Sequence, residues 1–147
     1  MAKKMLIDAT HPFAAKISET AVIAAAQDNI PLLRIERAQW QEPVDAQWQH
    51  VKNLSEAAET LPSNARAFLS VGAHSIAAFA HRKDVHFVSR VMTPPQNAFG
   101  TIITAMPPYD LASEIALLTK HEITHLVTKN SGGDQTSAKL VAAQRLK

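Results

Sequence analysis

The stretch Met5-Leu6-Ile7-Asp8-Ala9-Thr10-His11-Pro12-Phe13-Ala14 changes character at Asp8. An apolar run gives way to a short polar turn, and a segment of helical periodicity follows at once. The run reads as a strand over Lys4–Ile7 and the segment as a helix over Pro12–Asp28. Pro12 suits the first helical position, where its missing N–H would have no intrahelical partner. Phe13, Ile17, Ala21 and Ala24 recur at three- and four-residue spacing, which gives the helix one apolar stripe. The turn thereby puts Asp8, Thr10 and His11 at the carboxyl end of a strand and the amino end of a helix. Open α/β sheets place their ligands there.

The same alternation continues outward. Strand-like runs cover Pro31–Ile35, Arg66–Val71, His86–Val91, Thr101–Ala105 and His125–Thr128, and helical patterns cover Leu54–Leu61, Ser75–His81, Leu111–His121 and Thr136–Leu146. Asn53 followed by Glu56 has the pattern of a helix-start cap, and Asp110 before Leu111, Ile115 and Leu118 is a second. This order predicts an α/β fold, a Rossmann-like parallel sheet with flanking helices. Arg37–Trp48, with both tryptophans and Pro43, is the longest irregular piece. A boundary falls there, with residues 1–37 as the end of an N-terminal α/β subdomain and residues 38–147 as a C-terminal one. An incomplete sheet of this kind is expected to expose strand edges and to self-associate through them.

With 147 residues, 46% of them apolar and 19% charged, the chain is a globular domain with an aliphatic core. It has no cysteine, which excludes disulfides, thiolate zinc sites and thiol nucleophiles. A formal charge of +2, with no basic run beyond Lys3-Lys4 and Arg82-Lys83, argues against a nucleic-acid partner. No apolar stretch approaches the ~20 residues of a membrane helix. Met1-Ala2-Lys3-Lys4 is not followed by the long apolar segment of a signal peptide, so a cytoplasmic location is expected.

A second notable segment is Val127-Thr128-Lys129-Asn130-Ser131-Gly132-Gly133-Asp134-Gln135-Thr136. Here a strand runs into two glycines and then a helix. Successive glycines let backbone N–H groups turn toward an anion, and a following helix N-terminus adds partial positive charge. Lys129 and Ser131 add an ammonium and a hydroxyl. The spacing is not that of a Walker loop, whose lysine follows its glycines, and two glycines are also ordinary turn chemistry. Likewise, Asp8 and Thr10 read either as ligand contacts or as caps of the following helix. His11 reads either as a first-turn residue or as a proton donor titrating near neutrality. Arg34, Arg37 and Arg90 near strand ends read as clamps for carboxylates and phosphates or as solvated surface. Neither His121 with His125 nor His81 with His86 has a carboxylate completing a ligand set, so no metal site is expected. No G-x-S-x-G elbow is present.

Taken together, these segments resemble the precorrin-6A reductases of cobalamin biosynthesis, including the cobalt-precorrin-6A reductases. The resemblance rests on Asp8–Ala14, on Ile30–Arg37 with Trp40, on Val71-Gly72, and on Arg90 with Pro94-Pro95. It continues through Pro107-Pro108 with Glu114 to Leu126–Gly133, Thr136, Lys139 and Ala142-Ala143. It implies NADPH-dependent hydride transfer to a ring double bond of a tetrapyrrole, in a protein of two α/β subdomains. Under it, Asp8, Thr10, His11, Arg34, Arg37, Arg90, Lys129, Asn130, Ser131, Gly132, Gly133 and Thr136 are cofactor- or substrate-binding residues. His11 is the candidate proton donor. The glycine loop holds either a cofactor phosphate or a substrate carboxylate. Members of that family are longer, with a Gly-Gly-Thr turn before the Asp-Ala-Thr-His-Pro segment and a last strand ending in Arg-Pro. The present chain is expected to lack both pieces. A non-catalytic module binding a tetrapyrrole or a phosphate ligand is the alternative.

Overall fold

The structure, a computed structural model, describes residues 4–147; Met1–Lys3, the start of the segment read for a leader, lie outside the described residues. Two compact units are present, one taking in the chain up to Trp40 together with Asn130–Gly133, the other Gln41–Lys129 and Asp134–Lys147.

In the first unit, β1 (Leu6–Asp8) and β2 (Leu32–Arg34) pair in parallel around α1 (Ala15–Gln27). The register sets Ile7 beside Leu33 and Asp8 beside Arg34. The helix begins three residues later than the sequence suggests. Ala14 N–H donates to His11 O (2.7 Å), which closes a turn over Pro12 and Phe13, and Ala14 occupies the cap position without a side-chain cap. The buried face of α1 is also a correction. Ser18 and Ala25 are the buried positions, whereas Phe13 and Ile17 of the expected stripe are about half exposed. Small side chains let the helix lie close to the strands, and Ser18 is held by a polar contact described below.

The second unit is a four-stranded parallel sheet in the order β5-β4-β3-β6. Its strands are β3 (Arg66–Ser70), β4 (His86–Val91), β5 (Thr101–Thr104) and β6 (His125–Thr128). The helices are α2 (Leu54–Thr60), α3 (Leu111–Lys120) and α4 (Ala138–Arg145), with a 3₁₀ helix over Ala73–Phe79. The strand spans follow the sequence reading closely because near-continuous apolar runs mark strands buried on both faces. Alternation along β3 separates two cores. Ala67 and Leu69 pack with Ala57, Ala58, Ile76, Phe79 and Phe87. Phe68 packs on the opposite side with Val88, Leu118 and Ala142. Burying a side chain such as Phe68 or Leu69 is worth roughly 1.5–3 kcal/mol.

Both expected caps are present: Asn53 Oδ1 accepts from Glu56 N–H (2.9 Å) and Asp110 Oδ1 from Ser113 N–H (2.9 Å). Two helices differ from expectation. The Ser75–His81 pattern is the 3₁₀ helix, displaced two residues toward the N-terminus. The helix expected from Thr136 starts only at Ala138. No described helix is long and apolar enough to cross a membrane.

Candidate functional site

At the carboxyl ends of β1 and β2, Asp8 is buried, with 4% of its surface exposed. Its Oδ1 accepts from Thr10 N–H (3.0 Å) and Thr10 Oγ1 (2.7 Å), and Thr10 Oγ1 lies 3.3 Å from Ser18 Oγ. Asp8 and Thr10 thus bond to each other across the turn and do not cap α1. The second oxygen, Oδ2, is buried without a hydrogen bond; Arg34 Nε stands 3.8 Å away, while Arg34 Nη2 contacts Glu36 at 2.9 Å. The Thr10 hydroxyl, then Ser18 and the Thr10 amide, outweigh desolvation and lower the Asp8 pKa to about 2, with Arg34 assisting. Asp8 is therefore an ionised acceptor whose second oxygen faces Arg34 without a hydrogen bond.

His11 Nδ1 accepts the Phe13 N–H at 3.2 Å, with the two rings tilted at a 6.0 Å centroid distance. That bond requires a neutral ring with its hydrogen on Nε2, because an imidazolium has no lone pair to accept with.

The glycine loop lies in the same unit. Asn130 Oδ1 accepts from Trp40 N–H (2.8 Å), Asn130 Nδ2 donates to Trp40 O (3.0 Å), and Trp40 Nε1 donates to Gly133 O (2.9 Å). Gly132 and Gly133 have φ of 65° and 83°. A Cβ on Gly132 would collide with the Ala38 carbonyl oxygen, and one on Gly133 would meet Arg37 Nη1 at 3.0 Å. Arg37, Asn130, Gly132 and Gly133 are thus brought together, and Ser131 beside them is buried. The glycines are required by the approach of residues 37 and 38. The helix expected to follow them from Thr136 starts at Ala138, five residues after Gly133 in sequence. Trp40 is the partner the sequence reading did not assign.

The remaining candidates belong to the second unit. Lys129 Nζ donates to Ser75 Oγ at 2.9 Å, and desolvation pushes the Lys129 ammonium pKa down. Arg90 is buried on β4 and makes a two-point ion pair with Glu114 of α3, which is 1% exposed, the Nη2–Oε2 arm measuring 3.1 Å. Its guanidinium stacks on Tyr109 at 3.5 Å and lies 5.1 Å from the Phe68 ring centroid. Arg90 is therefore engaged inside the core. Thr136 presents its carbonyl oxygen to the buried Lys139 Nζ at 2.7 Å. Among the described residues, no three His, Asp or Glu side chains cluster as metal ligands.

Lys139 provides a pH-dependent expectation. Desolvation, then Arg90, outweighs Glu114 and lowers its pKa from 10.5 to about 8. Between those two values the unfolded chain binds the extra proton, so folding stability rises with pH, whereas below about 8 the full cost of burying the cation is present. Lys139→Met keeps the volume and removes the charge. It is expected to be about 1–3 kcal/mol more stable than the parent at neutral pH. In urea denaturation at stepped pH it should also lose the parent's rise in stability between pH 8 and 10.5.

The family model for "Precorrin-6x reductase CbiJ/CobK" matches residues 2–147. The chain is similar to the precorrin-6A reductase of Rhodococcus erythropolis, at 42% identity over 145 residues, covering 96% of this chain and 58% of that one. It is similar to the precorrin-6A reductase of Rhodobacter capsulatus, at 38% identity, with coverages of 96% and 58%. It is also similar to the cobalt-precorrin-6A reductase of Priestia megaterium, at 31% identity, with coverages of 88% and 56%. A solved structure of the CobK precorrin-6A reductase superposes with a TM-score of 0.91 at 37% identity, covering 97% of this chain and 60% of that chain. The chain thus spans a little under three-fifths of the length of the curated relatives it matches. With the Asp8–Ala14 turn, the Trp40–Gly133 seam and the β5-β4-β3-β6 sheet all inside the matched span, the chain belongs to the precorrin-6x reductase CbiJ/CobK family.

Proposed function

We propose that this chain serves NADPH-dependent reduction of a ring double bond in precorrin-6A or its cobalt form. The observation that carries the reading is the family match over residues 2–147, together with polar groups at the carboxyl ends of parallel strands in each unit. NADPH, when bound, supplies the hydride, and the cofactor carries that chemistry. The chain fits such a ligand at an observed point. Asp8 Oδ2, buried and ionised, is suited to accept from a ribose hydroxyl or a carboxamide N–H and to repel carboxylates. Arg34, 44% exposed at its side chain, and Arg37 suit the acetate and propionate groups of a tetrapyrrole. Thr10, Asn130, Ser131, Gly132 and Gly133 hold the backbone around these groups. Arg90 acts in this reading through its hold on α3, and Thr136 through its hold on Lys139.

His11 is the proposed proton donor to the reduced macrocycle. Uptake of a proton at Nδ1 releases the Phe13 N–H and leaves an imidazolium, which gives up its Nε2 proton. His11→Gln is expected to lower kcat by about 100-fold or more for precorrin-6A-dependent loss of reduced-nicotinamide absorbance. An unchanged kcat would assign the proton to water. Tetrapyrrole binding by folded protein without any NADPH oxidation would support the non-catalytic module instead.

A further inference from the structure

The pleat of β1 and β2 gives their two faces unlike chemistry. Leu6, Asp8 and Leu32 are buried or half-buried on the side of α1, where Asp8 reaches the helix through Thr10 and Ser18. The other side carries Met5, Ile7 and Ala9 along β1 and Pro31, Leu33 and Ile35 along β2. The ladder runs the length of that block: Leu6 N–H donates to Pro31 O at 2.9 Å and Ile35 N–H to Asp8 O at 2.9 Å. All six residues are apolar and exposed, Met5, Ile7, Leu33 and Ile35 by 56%, 55%, 48% and 55%.

Parallel strands are normally covered on both faces. Here α1 covers one face and the other stays open. Four large side chains at half exposure, with Ala9 and Pro31, leave roughly 500 Å² of apolar surface, the size of patch that marks a contact surface. The chemistry of the block indicates what covers it. It carries no charge, so an identical face brought against it meets no like charge and strands no ion. The charges of the two strands, Asp8 and Arg34, contact each other on the α1 side. Two such faces together would bury about 1,000 Å², the least that a specific interface needs. Stacked sheets interdigitate at a spacing of about 10 Å, and a closed pair of identical surfaces is the commonest symmetric assembly.

We infer that the open face of β1 and β2 is an interface with a second copy of this chain, closed by a twofold axis that sets face upon face. Its small area makes the dimer reversible, with a dissociation constant between about 1 and 100 µM. Edge-to-edge pairing, by contrast, would leave the six side chains in water.

The test is sedimentation of the full chain over a range on the order of 1–200 µM, across which monomer should give way to dimer. Leu33→Lys and Leu33→Glu should each weaken the dimer at least ~10-fold by setting like charges across the axis, with far-UV dichroism confirming that each is folded. An equimolar mixture of the two should recover most of the association, because face upon face brings the lysine of one copy near the glutamate of the other. A second readout needs no variant. Peroxide oxidation of Met5 in the parent should slow about three- to tenfold from the lowest to the highest concentration. Met92 and Met106 of the second unit, 64% and 72% exposed, should keep their rates. The inference is overturned if the parent stays monomeric throughout, which would give the face to a different polypeptide. It is also overturned if Leu33→Lys dimerises as the parent does, if the mixture recovers nothing, or if Met5 oxidises equally fast at both concentrations.

Discussion

Glu114→Ala should destabilise the second unit by about 3–5 kcal/mol, because it strands the Arg90 guanidinium in a core it cannot leave. Arg90 and Glu114 have side-chain exposures of 4% and 1%, so neither water nor salt compensates the loss. Stacking on Tyr109 contributes only a fraction of this, on the order of 1–2 kcal/mol. In thermal denaturation the variant should melt roughly 10–25 °C below the parent. The double replacement Arg90→Met with Glu114→Leu removes both charges and should recover most of the loss, since a buried ion pair is often no better than a well-packed apolar pair. A loss under about 1 kcal/mol for the single variant would mean that the pair behaves as an exposed one.

Gly132→Ala should be the second large effect, at about 2–5 kcal/mol, from left-handed backbone and a backbone collision combined. The new Cβ is driven into the Ala38 carbonyl oxygen, an atom with little freedom to move. Relief requires withdrawing residues 37–40 from the loop, which also breaks the three Trp40 bonds to Asn130 and Gly133. Urea denaturation followed by Trp40 emission in a Trp48→Phe background should show the first unit opening early. Gly72→Ala is the contrast: its φ is also positive but its Cβ meets open space, so its cost should stay near ~1 kcal/mol. Equal costs at the two glycines would remove the collision from the account.

The second sheet was legible because β3, β4 and β6 are apolar runs of the right length, and α3 announces itself through Asp110 and Leu111, Ile115 and Leu118. The buried face of α1 was not legible, because periodicity weights Phe13 and Ile17 by hydrophobicity while close packing selected Ser18 and Ala25. The Trp40 contacts with Asn130 and Gly133 join residues 90 and 93 apart, and no local pattern encodes such a pairing. The bond from Lys129 to Ser75, 54 residues apart, was not legible for the same reason. Arg90 did carry a readable signal: a guanidinium inside His86-Phe87-Val88-Ser89-Arg90-Val91 cannot be buried without a carboxylate, and Glu114 on the apolar side of α3 is that carboxylate. That Asp8, Thr10 and Arg34 lie near one another follows from position alone, since strand ends that pair in parallel bring such residues side by side.

The aromatic side chains have a consequence for observation. The chain has two tryptophans and a single tyrosine. Trp40 sits in the first unit, while Trp48 and Tyr109 sit in the second. The Arg90 guanidinium carbon lies over the Tyr109 ring at 3.5 Å from its centroid, and burial raises the pKa of the phenol. Its ultraviolet absorption and alkaline ionisation therefore act as a native gauge of the charged core of the second unit. Indole emission from Trp40 is tied by the Nε1–Gly133 bond to the closure of the first. Once Trp48 is replaced by phenylalanine, indole emission reports the first unit and Tyr109 the second, and their fates can be followed separately without a label.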